Sequence, residues 1–541
     1  MAGLATSLGS GAMTNAISEL GSTSAILAIG TNTTNTHPIV ALQVKSAVRK
    51  GSKLIVANPK EIELCKFADL FLQHKPGTDV PLLMGMMRVI VDEGLHDKSF
   101  IEIRCEDFDA FEKSLAEFDL DTVEKITGVP QAKIIQAARI YSTQAPASII
   151  YCMGITQHVH GTDNVLATSN LALLTGNIGK PSSGVNPLRG QNNVQGACDM
   201  GCLPNVYTGY QAVISPEAKD KFESAWGAAL SDKPGLTHTE IFDACHEGSI
   251  SALYLVGENP VLSEANASHA TEAMKNVNFM VVQDIFMTET AELADVVLPA
   301  VTFAEKDGTF TNTERRVQRV RKAIDPVGDA KPDWWITCQL SKRLNGKGFD
   351  FSKPEEIMEE ISILTPSYKG ISYARLEKGS LQWPCPTADH QGTPFLHAEK
   401  FGTDSGKGKF RPLTYKKPGE ETDGEYPLLL TTDRSLYHYH STMTRRVYGL
   451  NVLDKEEHLK INPEDASRLG LKDGEIVRVT SRRGELDTKV MVTDECPPGT
   501  VSMTFHFAET PTNVLTCCEL DPVAKTPGTK VCAVRIEGLG S

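Results

Sequence analysis

None of the twelve cysteines in this 541-residue chain forms a Cys-x-x-Cys pair. That argues against a zinc ribbon or an iron–sulfur motif held by neighbouring cysteines. Scattered thiols point instead to a reducing, cytoplasmic setting. Cys198 and Cys202 stand four apart, with no histidine or third cysteine beside them, so no metal ligand set is assigned. Lys and Arg are absent before Lys45, so the opening segment reads as neither a secretory nor a twin-arginine signal. No apolar run approaches the roughly 18 residues a membrane helix needs. A basic excess is lacking too. Acidic residues number 68 against 54 basic ones, a net charge of −14, which is the wrong sign for nucleic acid or an anionic membrane. There is no Gly-x-Gly-x-x-Gly, which disfavours an ordinary NAD-binding fold.

What is present is the composition of an ordinary globular protein, 40% apolar and 23% charged. The length exceeds a single core and predicts roughly two to four domains. Two stretches repeat one layout. Ala25 to Asn32 (apolar, then Gly30-Thr-Asn32), Leu54 to Asn58-Pro59 and Ala68-Asp69 to Leu72 are matched by Ala252 to Asn259, Phe279 to Asp284 and Ala294-Asp295 to Leu298. From Gly30 to Asn58 is 28 positions and from Gly257 to Asp284 is 27, while Gly30 to Ala68 and Gly257 to Ala294 span 38 and 37. Register held across three landmarks is an internal duplication.

Each copy alternates short apolar runs with helix-like segments. In His37 to Lys50, Val40, Val44 and Val48 recur every four residues, with Pro38 near the start and Gly51 just past the end. Runs of five or six apolar residues between such helices predict buried parallel strands. Ligands of such sheets bind at the carboxyl ends of the strands, where Gly30, Asn32, Asn58, Gly257, Glu258, Asn259 and Asp284 stand. A carboxylate or amide there suits a ribose or a purine edge, so two nucleotide-bearing ligands are inferred. Asp79 in Pro76-Gly-Thr-Asp79 admits a plainer role, as N-cap of the helix that follows.

A Lys/Gly/Asp-rich stretch reads as a linker, and strand-like segments dominate after it: 427–432, 475–482, 485–492, 500–507 and 530–537. Arg483-Gly484 marks a hairpin, and Asn462, Pro463 and Gly470 bound one short helix. A small β-barrel is expected. The predicted fold class is therefore α/β, with two pseudo-symmetric, Rossmann-like parallel-sheet domains at 1–190 and 191–400, a linker at 401–424 and a C-terminal β-barrel at 425–541.

The most informative segment is Arg189-Gly-Gln-Asn-Asn-Val-Gln-Gly-Ala-Cys-Asp-Met-Gly201. Five polar or charged side chains fall within seven positions, and glycines let backbone approach a ligand closely. This run resembles the signature of formate dehydrogenase catalytic subunits in the molybdenum/tungsten bis-pterin oxidoreductase family, and the similarity covers essentially the whole chain. The resemblance implies two molybdopterin guanine dinucleotides and a molybdenum or tungsten ion. Gly30, Asn32, Asn58, Lys60, Gly77 and Asp79 would line one guanosine pocket, with Met153, Gly154 and Gln157 near a pterin. Gly257, Glu258, Asn259, Asp284 and Thr288 would line the other. Thr432, Arg434, Ser435, His438 and Tyr439 resemble the family's pterin-contacting strand and turn, and Asn513 and Lys530 its last contact region. Many members have Asp-Pro-Arg where this chain has Asn58-Pro59-Lys60, which loses a charge and a bidentate fork.

Arg189 is the expected catalytic residue, a guanidinium able to hold a small planar carboxylate. Gln191 would bridge its loop to a pterin, and His158 and His160 could assist. By the same resemblance, a cysteine or selenocysteine metal ligand and a 4Fe-4S cluster belong to a segment preceding the one that opens here. Met1 reads as a start placed just after an in-frame selenocysteine codon, and such a chain is expected to lack formate dehydrogenase activity by itself. Expected partners are formate or carbon dioxide and an iron–sulfur, hydrogenase or NAD-reducing electron-transfer subunit. The competing readings are another bis-pterin reductase acting on an oxyanion, or a metal-free structural relative in an electron-transfer complex.

Overall fold

The computed structural model describes residues 1–439 and 442–539. They form two compact units. One comprises 1–190, 262–267 and 395–541, the other 191–261 and 268–394.

The first unit contains a five-stranded parallel sheet in the order Leu70–Leu72, Lys53–Ala57, Ala25–Ile29, Ala147–Tyr151, Gly184–Pro187. Its strands are largely apolar because both faces are covered. Ile26, Ala28, Leu54 and Val56 pack on one side against Val40, Val44 and Ala47 of the helix Pro38–Arg49. Leu27, Ile29, Ile55 and Ala57 join a larger core on the other. The helix ends at Arg49, and Gly51 takes φ 103°, where a side chain would be strained.

The same unit holds the barrel. Six strands close in the order Leu428–Asp433, Thr500–Thr504, His458–Ile461, Glu485–Val492, Ile476–Ser481, Cys532–Gly538. Alternate side chains fill its interior, among them Leu428, Leu430, Val477, Val479, Val490 and Val534. The helix Pro463–Leu469 is capped as expected, Asn462 accepting from the Glu464 N–H at 2.9 Å, with Gly470 at φ 69°. Five of the barrel strands were predicted. His458–Ile461, only four residues long and preceded by charge, was not.

The stretch 401–424 is not a free spacer. Phe401 and Phe410 are fully buried in the first unit's core, and Gly408–Lys409 pairs in parallel with Cys105–Glu106. Two aromatic anchors outweigh the polar composition that suggested a linker.

The second unit has a three-stranded parallel sheet, Ala252–Val256, Phe279–Asp284, Val296–Pro299, with the middle segment central. Leu255, Met280 and Val282 pack on Phe242, Ala270, Ala273 and Met274. A separate antiparallel sheet joins Gly308–Thr311, Arg316–Val320 and Leu381–Gln382.

The duplication extends to individual hydrogen bonds. Asp69 accepts from the Leu54 N–H at 2.9 Å, and Asp295 from the Met280 N–H at 2.7 Å. Gly30 N–H donates to the Ala57 carbonyl at 3.1 Å, and Gly257 N–H to that of Gln283 at 2.8 Å. Asn58 accepts from the Lys60 N–H at 3.0 Å, and Asp284 from the Phe286 N–H at 2.9 Å. Among the described residues, no helix is long and apolar enough to cross a membrane.

Candidate functional site: the cavity of the first unit

The carboxyl ends of Ala25–Ile29, Lys53–Ala57 and Leu70–Leu72 open on a cavity of about 540 Å³, whose far wall is the barrel segment 431–434 with Lys460 and Lys530. This is where an open parallel sheet binds ligands, and the volume lies in the usual range for such sites. Each strand end is shaped by its own turn. Gly30 takes φ 56°, and a Cβ there would stand 2.7 Å from the Gly154 carbonyl carbon. Gly154 N–H donates back to the Gly30 carbonyl at 3.0 Å, so two loops are locked without intervening side chains. Gly77, at φ 81°, turns the third loop into the helix Asp79–Asp92.

Of the residues assigned to this region, Gly30, Asn32, Asn58, Lys60, Gly77, Asp79, Met153, Gly154, Thr432, Arg434 and Lys530 all line the cavity. Asp79 does not cap its helix. Thr78 holds the cap position, and the buried Asp79 carboxylate accepts from His74 Nε2 at 3.0 Å. Burial pushes this carboxyl up, but His74 and then His158 outweigh it and hold the group below the usual range.

The cavity's charges are largely paired. Lys60 is buried, donating to Asp433 and, at 2.8 Å, to Ser502 Oγ. Burial alone would lower its pKa; Asp433 more than reverses this and raises it. Asp433 answers in kind: burial lifts it, and Lys60 brings it below the ordinary value. Lys530 differs. Burial brings it down to about 8, and its ammonium donates to the Thr432 carbonyl at 2.7 Å and hydroxyl at 3.1 Å. It can therefore lose a proton close to neutrality.

Five polar atoms of the lining are buried without a protein partner: Thr31 Oγ1, Asn32 Oδ1, His74 Nδ1, Asp433 Oδ1 and Arg434 Nε. Each orphaned group costs on the order of 1–3 kcal/mol. Donors and acceptors are mixed, which fits a ligand rich in both, such as a pterin joined to a nucleotide. The residues present therefore fit a dinucleotide cofactor. Other assigned residues have protein partners of their own. Ser435 donates to Asp454, and His438 bonds the Asp454 carbonyl at 2.6 Å and Thr444 at 3.2 Å. Asn513 donates to the carbonyls of Leu262 and Ser263 at 3.0 and 3.1 Å. Gln157 offers its carbonyl to the Lys530 N–H at 3.3 Å.

Arg189 is half-buried, and Gly190 lines the cavity. The Arg189 carbonyl accepts from His37 Nε2 at 2.7 Å, and the Gly190 carbonyl from the Tyr439 hydroxyl at 3.3 Å. The guanidinium donates to the Gly11 carbonyl at 3.2 Å. Burial holds the His37 pKa below the ordinary value, and the Arg189 carbonyl, which only accepts, requires a proton on Nε2. Sequence reasoning gave His37 only a place at a helix start and passed over His74 and Asp433. All three are chemically unremarkable in sequence, since their roles come from partners far along the chain or across a turn.

In the second unit, Gly257, Glu258, Asn259, Asp284 and Thr288 stand at the matching strand ends. Asn259 accepts from Thr290 Oγ1 at 2.7 Å and donates to Glu289 at 2.9 Å; Thr288 Oγ1 accepts from the Ala291 N–H at 3.1 Å. Glu258 stands 3.0 Å from His238 Nε2. Gln191 and Asn192 are exposed, and the run ends in the helix Val194–Asp199. Asp199, buried, accepts from Tyr368 and Trp383 at 2.6 Å, Tyr210 at 2.7 Å and Gln195 at 2.8 Å. These neutral donors hold the helix in place, although burial still raises the carboxyl.

Comparison with known proteins places these features in a lineage. Residues 3–343 match the model "Molybdopterin oxidoreductase", and 428–533 match "Molydopterin dinucleotide binding domain". The chain is 48% identical over 537 residues to the F420-dependent formate dehydrogenase subunit alpha of Methanocaldococcus jannaschii, covering 99% of this chain and 79% of that one. It is 41% identical over 543 residues to formate dehydrogenase H of Escherichia coli, covering 99% and 76%. The acetylene hydratase of Pelobacter acetylenicus shares the fold at a TM-score of 0.79 and 21% identity, over 99% of this chain and 80% of that one. The chain belongs to the molybdopterin oxidoreductase family.

Proposed function

We propose that this chain serves the interconversion of formate with carbon dioxide, a proton and two electrons, and that it holds two molybdopterin guanine dinucleotides, one in each unit. The first would be held by Gly30, Asn32, Asn58, Gly77, Asp79, Thr432, Arg434 and Lys530, the second by the strand ends around Gly257, Asn259 and Asp284. When bound, the pterins and their molybdenum or tungsten supply the two-electron redox chemistry.

The chain's own contribution centres on Arg189. Its guanidinium binds the formate carboxylate by charge-assisted hydrogen bonds and fixes its orientation. The substrate is an anion and carbon dioxide is neutral, so the same contacts weaken as the product forms and release follows. His37 and Tyr439 pin the two successive carbonyls of Arg189 and Gly190, which stops the loop from following the substrate. This double pinning of the backbone that carries Arg189, beside the cavity, is the observation that carries the reading, and the relatives' names supply the substrate. Electrons would pass to an iron–sulfur, hydrogenase or cofactor-reducing subunit.

The test is steady-state turnover of the metal-loaded holoenzyme with formate, using a dye and F420 as acceptors. Arg189→Met should lower kcat/KM about 100-fold, the size of loss seen when one charge-stabilising group is removed. Arg189→Lys should lose less, keeping charge but not the fork. Turnover by Arg189→Met within threefold of the parent would overturn the assignment. Analysis of the same preparation should return two guanine nucleotides per metal.

A further inference from the structure

His74 is buried, lines the cavity, and has no counterpart among the residues assigned from the sequence. It closes a short loop. It stands five positions before Asp79, and its Nε2 is 3.0 Å from Asp79 Oδ1. An ionised carboxylate only accepts, so His74 Nε2 carries a proton, and in the neutral form of the ring Nδ1 is then an acceptor. That Nδ1 is buried without a protein partner. The second carboxylate oxygen lies 3.9 Å from His158 Nε2, but that nitrogen is engaged with the Gly154 carbonyl at 2.7 Å. The loop itself is rigid. Thr78 donates its hydroxyl to the Lys75 carbonyl at 2.7 Å, and Lys75 N–H reaches the Thr127 carbonyl at 2.9 Å.

The result is a patch that only accepts, a carboxylate with spare lone pairs beside an imidazole nitrogen, at the first turn of a 14-residue helix. Nucleobases differ in how they answer such a patch. Guanine presents adjacent donors, N1–H and the 2-amino group. Hypoxanthine keeps N1–H and lacks the amino group. Adenine turns an acceptor, its own N1, toward the carboxylate.

We propose that His74 is the positioning residue for guanine selectivity: by holding one oxygen of Asp79, it fixes the carboxylate plane so that the pair of donors on a guanine edge is accepted together. This rests on the reading that the cavity takes a guanine nucleotide and adds which residue enforces the base. Without His74 the carboxylate can rotate about its Cβ–Cγ bond, and a single donor then suffices.

The experiment measures binding of GMP, IMP and AMP to the full chain freed of cofactor, by calorimetry, with parent, His74→Phe and His74→Asn. In the parent, GMP should bind about tenfold more tightly than IMP, one hydrogen bond's worth, and AMP more weakly still. His74→Phe should bring GMP and IMP within about twofold of each other, while His74→Asn, which keeps a donor, should retain most of the preference. Nitrogen-15 spectra of the parent give a readout independent of folding. His74 should show a protonated Nε2 and a bare Nδ1, with Nδ1 shifting on addition of GMP and not of AMP. If GMP fails to bind the parent, the cofactor reading falls and this inference with it. If GMP binds and His74→Phe keeps the tenfold preference, or the ring carries its proton on Nδ1, only the role of His74 is refuted.

Discussion

The two copies of the repeat share their hydrogen-bond plan and differ in what covers them. Leu27 and Ile29 in the first copy are fully buried, whereas Tyr254 and Val256, which take the same places in the second, are 43% and 50% exposed. Lys53 and Phe279 start the corresponding middle strands, and Phe279 is 47% exposed. Apolar runs of equal length thus yield a sheet buried on both faces in one unit and on one face in the other. The run marks a strand; burial depends on what packs against it, which a periodicity does not report. The backbone bonds, by contrast, come from Gly, Asn and Asp at fixed offsets, and these survive in both copies.

The largest expected contrast lies at the turn after the second strand, where Lys60 and Phe286 are equivalent. Lys60 is buried against Asp433, while Phe286 is 37% exposed. Lys60→Met leaves an unpaired carboxylate in the interior and should cost about 3–5 kcal/mol. Phe286→Lys should stay within about 1 kcal/mol, as surface changes do. Urea unfolding midpoints of the two variants measure this. Equal losses would show that matched turns bear matched loads and would break the comparison.

A smaller contrast is expected one turn earlier. Ile29→Ala removes a fully buried side chain and should cost roughly 2–5 kcal/mol, while Val256→Ala should cost less than about 1 kcal/mol. Hydrogen-exchange protection should follow the same order, lower for the amides of Ala252–Val256 than for those of Ala25–Ile29. Comparable losses would mean that the outer face of the second sheet is covered in solution.

Much of this architecture was legible because its signals are local. The duplication was readable from three landmarks, the barrel from alternation around Arg483-Gly484, and the helix Pro463–Leu469 from Asn462 and Gly470. The part that was not legible is long-range. His458–Ile461 becomes a strand only by pairing with Glu485–Val492 and Thr500–Thr504. The polar stretch 401–424 is held by Phe401 and Phe410 in a core built from residues more than 200 positions earlier. In the site, Gly30 announced itself through turn chemistry, whereas the same chemistry made Asp79 a helix cap, a position that Thr78 holds. His37 became meaningful only once its partner, the Arg189 carbonyl, was 2.7 Å away. Ser435 and His438, assigned by resemblance, both bond Asp454, a partner that the local sequence does not announce.

The finest contrast concerns Asp69 and Asp295, which clamp the start of the middle strand in each copy. Both accept a backbone N–H, and Asn keeps an acceptor for it, so replacing Asp295 by Asn should cost less than about 1 kcal/mol. Asp69 alone adds an ion pair, 2.7 Å to the half-exposed Lys53, where the second copy has Phe279. Burial pushes the Asp69 carboxyl up, but Lys53 and the Leu54 N–H more than reverse it and hold it below the usual range. A carboxylate lowered on folding stabilises fully above its unfolded pKa of about 3.9, and the gain drains away as pH falls through the folded value. Asp69→Asn should therefore exceed Asp295→Asn by about 0.2–1 kcal/mol at pH 7, the worth of an exposed pair. The excess should shrink in 1 M salt and diminish as pH falls below about 3.9, the unfolded value. An excess that persists under both conditions would locate it in packing rather than charge, and this electrostatic asymmetry of the repeat would then have no bearing on stability.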